Sequence, residues 1–193
     1  MATRRQGSTI CDDLLRPGRL WSRQDVFSRR SPVPKAPGVY AWYFRNMPPH
    51  VPTTGCTITG DFHLLYVGIS RSAPPKSGKA ASKQNLSRRI RSHMRGNASG
   101  STLRLSLGCI LTDRLGIALR RVGRRGRFTF SAGEQRLSAW MEENARVVWK
   151  VCEETHLPQF SSQPSGFTEC SVGSLIWKLE TSDLAIISSH SSM

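Results

Sequence analysis

The sequence predicts an α+β domain whose sheet is largely antiparallel and flanked by helices. Three observations carry that expectation. Short β-branched and aromatic runs bounded by Pro and Gly alternate with segments whose apolar residues recur at helical spacing. The predicted elements run strand, strand, helix, helix, strand, strand, helix, strand, an order that suits an antiparallel sheet with helices packed on it. The length of 193 residues suits one domain with a tail and leaves little room for two separate cores.

Residues 1–37 are Arg-rich and punctuated by Pro17, Pro32, Pro34 and Pro37, so they read as an arm or loop, with a short helix around Asp25–Arg29. Gly38-Val-Tyr-Ala-Trp-Tyr-Phe44 reads as a strand. Residues 45–61 hold Pro48, Pro49, Pro52, Gly55 and Gly60 and read as a loop. Phe62-His-Leu-Leu-Tyr-Val-Gly68 is a second strand, expected to be buried on both faces and to form an antiparallel hairpin with the first. Residues 70–84 are polar and basic, a connecting loop. From Asn85, the residues Leu86, Ile90 and Met94 form the stripe of an amphipathic helix closed by Gly96. Ser101 then caps a second helix running to Leu111. Ala118–Val122 and Arg127–Phe130 form a hairpin around a basic turn. Glu134–Asn144 is a third helix with Leu137, Trp140 and Met141 facing inward, and Ala145–Val151 is a strand, with Trp149 assigned to the core.

Charge divides the chain. There are 28 Lys+Arg against 13 Asp+Glu, a formal net charge of +15. Fifteen bases and the single acid Asp113 lie between Arg71 and Arg127, whereas beyond Glu154 Lys178 stands against Glu169, Glu180 and Asp183. So dense a basic body points to a polyanion, nucleic acid first and an acidic membrane surface second. No run approaches the roughly 20 apolar residues that span a bilayer, and the first residues lack the apolar stretch of a signal peptide, so a cytoplasmic protein without membrane attachment is expected. The five Cys are scattered with no CxxC pair, which argues against a disulfide framework or a zinc site.

Three elements carry chemistry in order: Gly38-Val39-Tyr40, Tyr66-Val67-Gly68, and the helix Asn85-Leu-Ser-Arg-Arg-Ile-Arg-Ser-His93. Here the sequence resembles the GIY-YIG endonucleases, named for the two strand motifs. The family follows its second motif with a helix bearing a large apolar residue and, three positions on, an essential Arg; Leu86 and Arg89 match. His93, one turn further, matches a position that is often His. The stretches 91–111 and 136–149 resemble small stand-alone bacterial members, and the likeness covers roughly residues 34–154. It implies a small GIY-YIG-like domain over 34–154, preceded by a basic arm at 1–33 and followed by a divergent Ser-rich tail at 155–193.

The resemblance implies phosphodiester hydrolysis with a single divalent ion, usually Mg²⁺, held by a Glu on a later helix. In that reading Tyr40 and Tyr66 position and deprotonate water, the planar Arg89 fork stabilises the phosphoryl oxygens and His93 assists. Arg89 and His93 are one turn apart and so project from one helix face. His93 reads equally as a tuned imidazole or as helix-face packing. Lys83, Arg88, Arg91, Arg95, Arg120, Arg121, Arg124 and Arg125 are the expected nucleic-acid contacts, with a plain exposed turn as the other reading of the 120–127 cluster.

Two departures stand out. Ile69 occupies a position where the family often has Lys. The metal Glu, expected on a helix after the 145–151 strand, has only Glu154 as its nearest match, with Glu142 and Glu143 as weaker ones, and Pro158 interrupts any helix there. Charge changes sign and ten Ser crowd residues 161–193 at the same place, which suggests a change of reading frame near codon 154. The expected function is therefore a DNA endonuclease. The alternative is a non-catalytic nucleic-acid-binding module that keeps the fold without the metal Glu, and a basic assembly or membrane-surface protein is a third class.

Overall fold

The structure, a computed structural model, describes residues 10–70, 84–124 and 126–152. The arm contributes two short helices, α1 (Ile10–Leu15) and α2 (Arg23–Phe27). β1 (Gly38–Phe44) follows, then the two-residue β2 (Ile58–Thr59) and β3 (Phe62–Ser70). Two helices come next, α3 (Leu86–Arg95) and α4 (Thr102–Ile110), and a further turn, α5 (Thr112–Leu115). The chain then forms the hairpin β4 (Arg120–Val122) and β5 (Arg127–Thr129), the helix α6 (Gly133–Asn144) and the last strand β6 (Ala145–Val151).

The main sheet has the order β2-β3-β1-β6, and every neighbouring pair is antiparallel. β1 is therefore an interior strand, and all seven of its residues are buried. The sequence pattern assigns that double burial to residues 62–68 as well. β3 is instead half-exposed along its middle, because only two residues of β2 pair outside it. Along β1 the side chains alternate. Tyr40, Trp42 and Phe44 face the helical layer with Leu86, Ile90, Met94, Leu103, Leu107, Leu137 and Met141. Val39, Ala41 and Tyr43 face the other side with Leu14, Phe62 and Val148.

Local chemistry sets the helix starts. Asn85 accepts from the Arg88 amide at the head of α3, and Ser101 accepts from the Arg104 amide at the head of α4. At α2, Ser22 and Asp25 satisfy each other's backbone amides, a capping box that begins this helix two residues before the expected Asp25. The described part of the arm lies against the domain. Leu14, Val26 and Val33 are buried, Tyr43 donates to the Leu14 carbonyl, and Trp21 pairs with Val147 at the outer edge of β6. Trp149, expected in the core, is half-buried and stacks on Trp21 with centroids 5.4 Å apart.

Candidate active site

The antiparallel register of β1 and β3 sets Tyr40 opposite Gly68 and Trp42 opposite Tyr66. Tyr40 and Tyr66 thus lie on one sheet face, diagonally adjacent, with ring centroids 6.4 Å apart. The motif glycines have a steric cause. A Cβ on Gly68 would lie 2.4 Å from the Tyr40 phenol, and one on Gly38 would lie 2.2 Å from the Lys150 carbonyl oxygen. Only glycine lets the Tyr40 ring lie across β3.

α3 presents Arg89 and His93 to the same phenol. Arg89 Nε donates to the Tyr40 hydroxyl at 3.3 Å, and His93 Nε2 lies 2.8 Å from it. On its other side, His93 Nδ1 lies 2.7 Å from the Ser101 hydroxyl. Tyr40, His93 and Ser101 are buried, whereas Tyr66 and Arg89 are half-exposed, so the cluster has a closed inner end and an open outer one.

Electrostatics follow that gradient. Burial pushes the Tyr40 phenol well above the ordinary tyrosine range; the Tyr66 charge and a hydrogen bond to Tyr66 push it the same way, and Arg89 opposes them. Burial, with Arg89 and Arg104 nearby, pushes His93 down to about 3, so its ring is neutral at physiological pH. Burial works against the Arg89 charge, but the two phenols outweigh it and hold Arg89 above its ordinary value. Among the described residues Arg89 makes no salt bridge; its charge faces phenols.

A second guanidinium lies in the same helical layer, and no sequence motif marks it. Arg104 is fully buried, donates to the His93 and Met94 carbonyls and pairs with Glu134 Oε2 at 2.8 Å. Glu134 also accepts from the Ala98 and Phe130 amides. Burial raises the Glu134 carboxyl, but the hydrogen bonds from Arg104, Ala98 and Phe130 outweigh it and hold the group below the usual range. The pair joins α3, α4, α6 and the end of the β4–β5 hairpin. The one signal in the sequence is an Arg amid the apolar Leu103, Leu105 and Leu107 of one helix.

The expected nucleic-acid contacts divide. Arg88 and Arg95 are exposed on α3, and Arg120, Arg121 and Arg124 are exposed on the β4–β5 hairpin, where Arg121 also lies over Phe128. Ser99 donates to the Phe128 carbonyl and ties this hairpin to the segment after α3. Arg91 is engaged inside the protein: it donates to the Val26 carbonyl and packs over Phe27, holding α2 against α3. Lys83, Arg125 and Glu154 lie outside the described residues, as does the tail. Among the described residues no three His, Cys, Asp or Glu side chains come together as a metal site. Of the weaker carboxylate candidates, Glu142 pairs with Arg23 and Glu143 is exposed. The described residues thus do not supply the ligand set of the implied Mg²⁺.

The family model of the GIY-YIG catalytic domain matches residues 38–163, about two thirds of the chain. The chain belongs to the GIY-YIG family, a nuclease-type family whose substrates are nucleic acids, and the antiparallel sheet with its helices agrees with that fold. Neither a curated protein nor a solved structure matches the chain. No helix among the described residues is long and apolar enough to cross a membrane.

Proposed function

We propose that the protein is a cytoplasmic DNA endonuclease acting at the Tyr40–Tyr66–Arg89–His93 cluster. The convergence of Arg89 and His93 on the Tyr40 hydroxyl, at 3.3 and 2.8 Å, is the observation that carries this reading. A guanidinium that makes no salt bridge among the described residues keeps N–H groups for a phosphate, and its partial exposure leaves them reachable. Tyr40 and Tyr66 position and deprotonate the attacking water. Tyr66 stands on the solvent side and Tyr40 behind it, and a phenolate formed by release of a proton to solvent takes the proton of the attacking water. Arg89 stabilises both that anion and the charge growing on the phosphoryl oxygens. His93, buried and neutral, acts through Tyr40.

Arg88 and Arg95 on α3, with Arg120, Arg121 and Arg124 on the hairpin, would hold the DNA backbone. Lys83 and Arg125 are proposed as further contacts to the same backbone. Family chemistry makes Mg²⁺ the ion to supply, with Glu154 as the proposed ligand. Incubation of supercoiled DNA with the full chain, with Mg²⁺ and with chelator, tests the proposal. Nicking that needs Mg²⁺ supports it. Salt-sensitive binding without cleavage under any divalent ion would instead leave a nucleic-acid-binding module. Reading the coding DNA past codon 154 in the other two frames tests the frame change, which fails if neither frame holds an acidic residue in an amphipathic helix.

A further inference from the structure

A pair of stacked tryptophans borders the site, and the cleavage chemistry makes no use of it. In the β1–β6 register Trp149 is the direct partner of Tyr40, so its side chain leaves the same sheet face as the two phenols. β6 and β3 flank β1 on opposite sides, which sets the strands of Trp149 and Tyr66 two spacings apart, about 10 Å. Trp21 of the arm stacks on Trp149 with centroids 5.4 Å and planes 29° apart, and the Arg19 guanidinium lies 3.9 Å from the centre of the Trp21 ring. Trp42 and Trp140 are buried in the core, whereas Trp21 and Trp149 are half-exposed and Arg19 is largely in water. Between Arg16 and Lys35 there are six bases and one acid, Asp25, which Arg19 already meets at 3.0 Å. Flat π surfaces beside a guanidinium, in a basic setting next to a phosphodiester site, match an unpaired nucleobase that carries its own phosphate. A base inside a duplex has both faces on its neighbours and cannot use them.

We propose that Trp21 and Trp149, with Arg19, form a stacking platform for an unpaired base next to the scissile bond, so that the preferred substrate is DNA with a single-stranded segment at the site. The arm thereby completes the substrate surface: backbone hydrogen bonds between Trp21 and Val147, both at 3.0 Å, hold its indole there. Two strand spacings separate the platform from Tyr66, which suits a nucleotide flanking the cleaved phosphate. That substrate class rests on the nuclease reading; base binding by the platform does not require cleavage.

Binding of the full chain in chelator, where nothing is cut, tests this with three DNA probes. They are a blunt duplex, the same duplex with a single-stranded extension, and that extension with abasic sugars in place of its bases, which keeps every phosphate. The extended duplex should bind about tenfold more tightly than its abasic form. Trp21→Ala should bring that ratio close to one while its affinity for the blunt duplex is kept. Trp21→Phe, which keeps a ring and the backbone pairing, should keep most of the ratio. Equal affinity of the unmodified chain for the extended and abasic probes overturns the proposal and leaves the two tryptophans as a tie between arm and sheet. A folded Trp21→Ala that keeps the full ratio also overturns it. If Trp21→Ala fails to fold, the abasic comparison decides alone. Base-dependent binding by a protein that cuts no DNA under any divalent ion refutes the nuclease reading and leaves the platform standing; cleavage without base-dependent binding does the reverse.

Discussion

Arg104 and Arg89 lie on consecutive helices on one side of the sheet, and each touches the site, yet their surroundings oppose each other. Arg104 is fully buried, is paired to Glu134 at 2.8 Å and donates to three carbonyls. Arg89 is half-exposed and faces two phenols. The first charge is cancelled within the fold and acts as a tie between elements. The second has no carboxylate among the described residues, and in the proposed function it is the group that meets the phosphate. In a chain with 28 Lys+Arg, the number of arginines says little about function; the partner of each one does.

The comparison can be broken from the structural side first. Arg104→Ala leaves Glu134 with an unpaired charge in a largely buried setting. It should cost about 3–5 kcal/mol of stability, read from the midpoint of urea unfolding. A cost below about 1 kcal/mol would show that the Arg104–Glu134 pair is not the tie described. Next in size is Gly68→Ala. The new methyl group would meet the Tyr40 phenol, so the ring must leave its place between Arg89 and His93. About 1–3 kcal/mol of stability should go, together with most of the cleavage activity. Unfolding midpoints and nicking rates of this one variant check both.

Acid sensitivity sharpens the contrast. His93 has a folded value of about 3 against 6.5 for the free side chain, so the unfolded chain binds the extra proton between those limits. The contribution is whole above pH 6.5 and is lost as the pH falls towards 3. Glu134, also held below its ordinary value, contributes in the same direction at lower pH. Stability should therefore begin to fall near pH 6.5, and His93→Gln should remove that early part of the decline. Urea unfolding from about pH 7 to about pH 4 measures it. The smallest effect on stability belongs to the hairpin. Replacing Arg120, Arg121 and Arg124 with Ala should leave stability within about 0.5 kcal/mol apiece. DNA binding should weaken across all sequences, and the salt dependence should flatten by about one unit for each phosphate that the variant no longer neutralises. An unchanged salt slope would remove the hairpin from the DNA face.

Much of this was readable in the sequence, for reasons visible in particular residues. Side chains that repeat every two residues along a strand put Tyr40 and Tyr66 on one sheet face only if the register allows, and the register, Tyr40 opposite Gly68, is a tertiary feature that neither motif carries. The Leu86–Ile90–Met94 stripe fixed how α3 turns, and hence that Arg89 and His93 point together. Asn144 and Ala145 mark the end of α6 and the start of β6, where a helical period gives way to a β-branched run. The α1 helix was not legible: it is six residues long, and what holds it is its contact with the sheet, through Leu14 and the Tyr43 hydroxyl. The Arg104–Glu134 pair escaped for a similar reason, since thirty positions separate its members and no local pattern links them. Gly38 and Gly68 were visible as motif letters, but the carbonyl and the ring that require them come from other strands.

One paired experiment reaches the central claim most directly: nicking rate and unfolding midpoint measured together for Arg89→Ala and the unmodified chain with Mg²⁺. The account predicts a loss of at least about a hundredfold in rate, as for removal of a transition-state donor, with stability little changed. Cleavage by Arg89→Ala at the rate of the unmodified chain would contradict it.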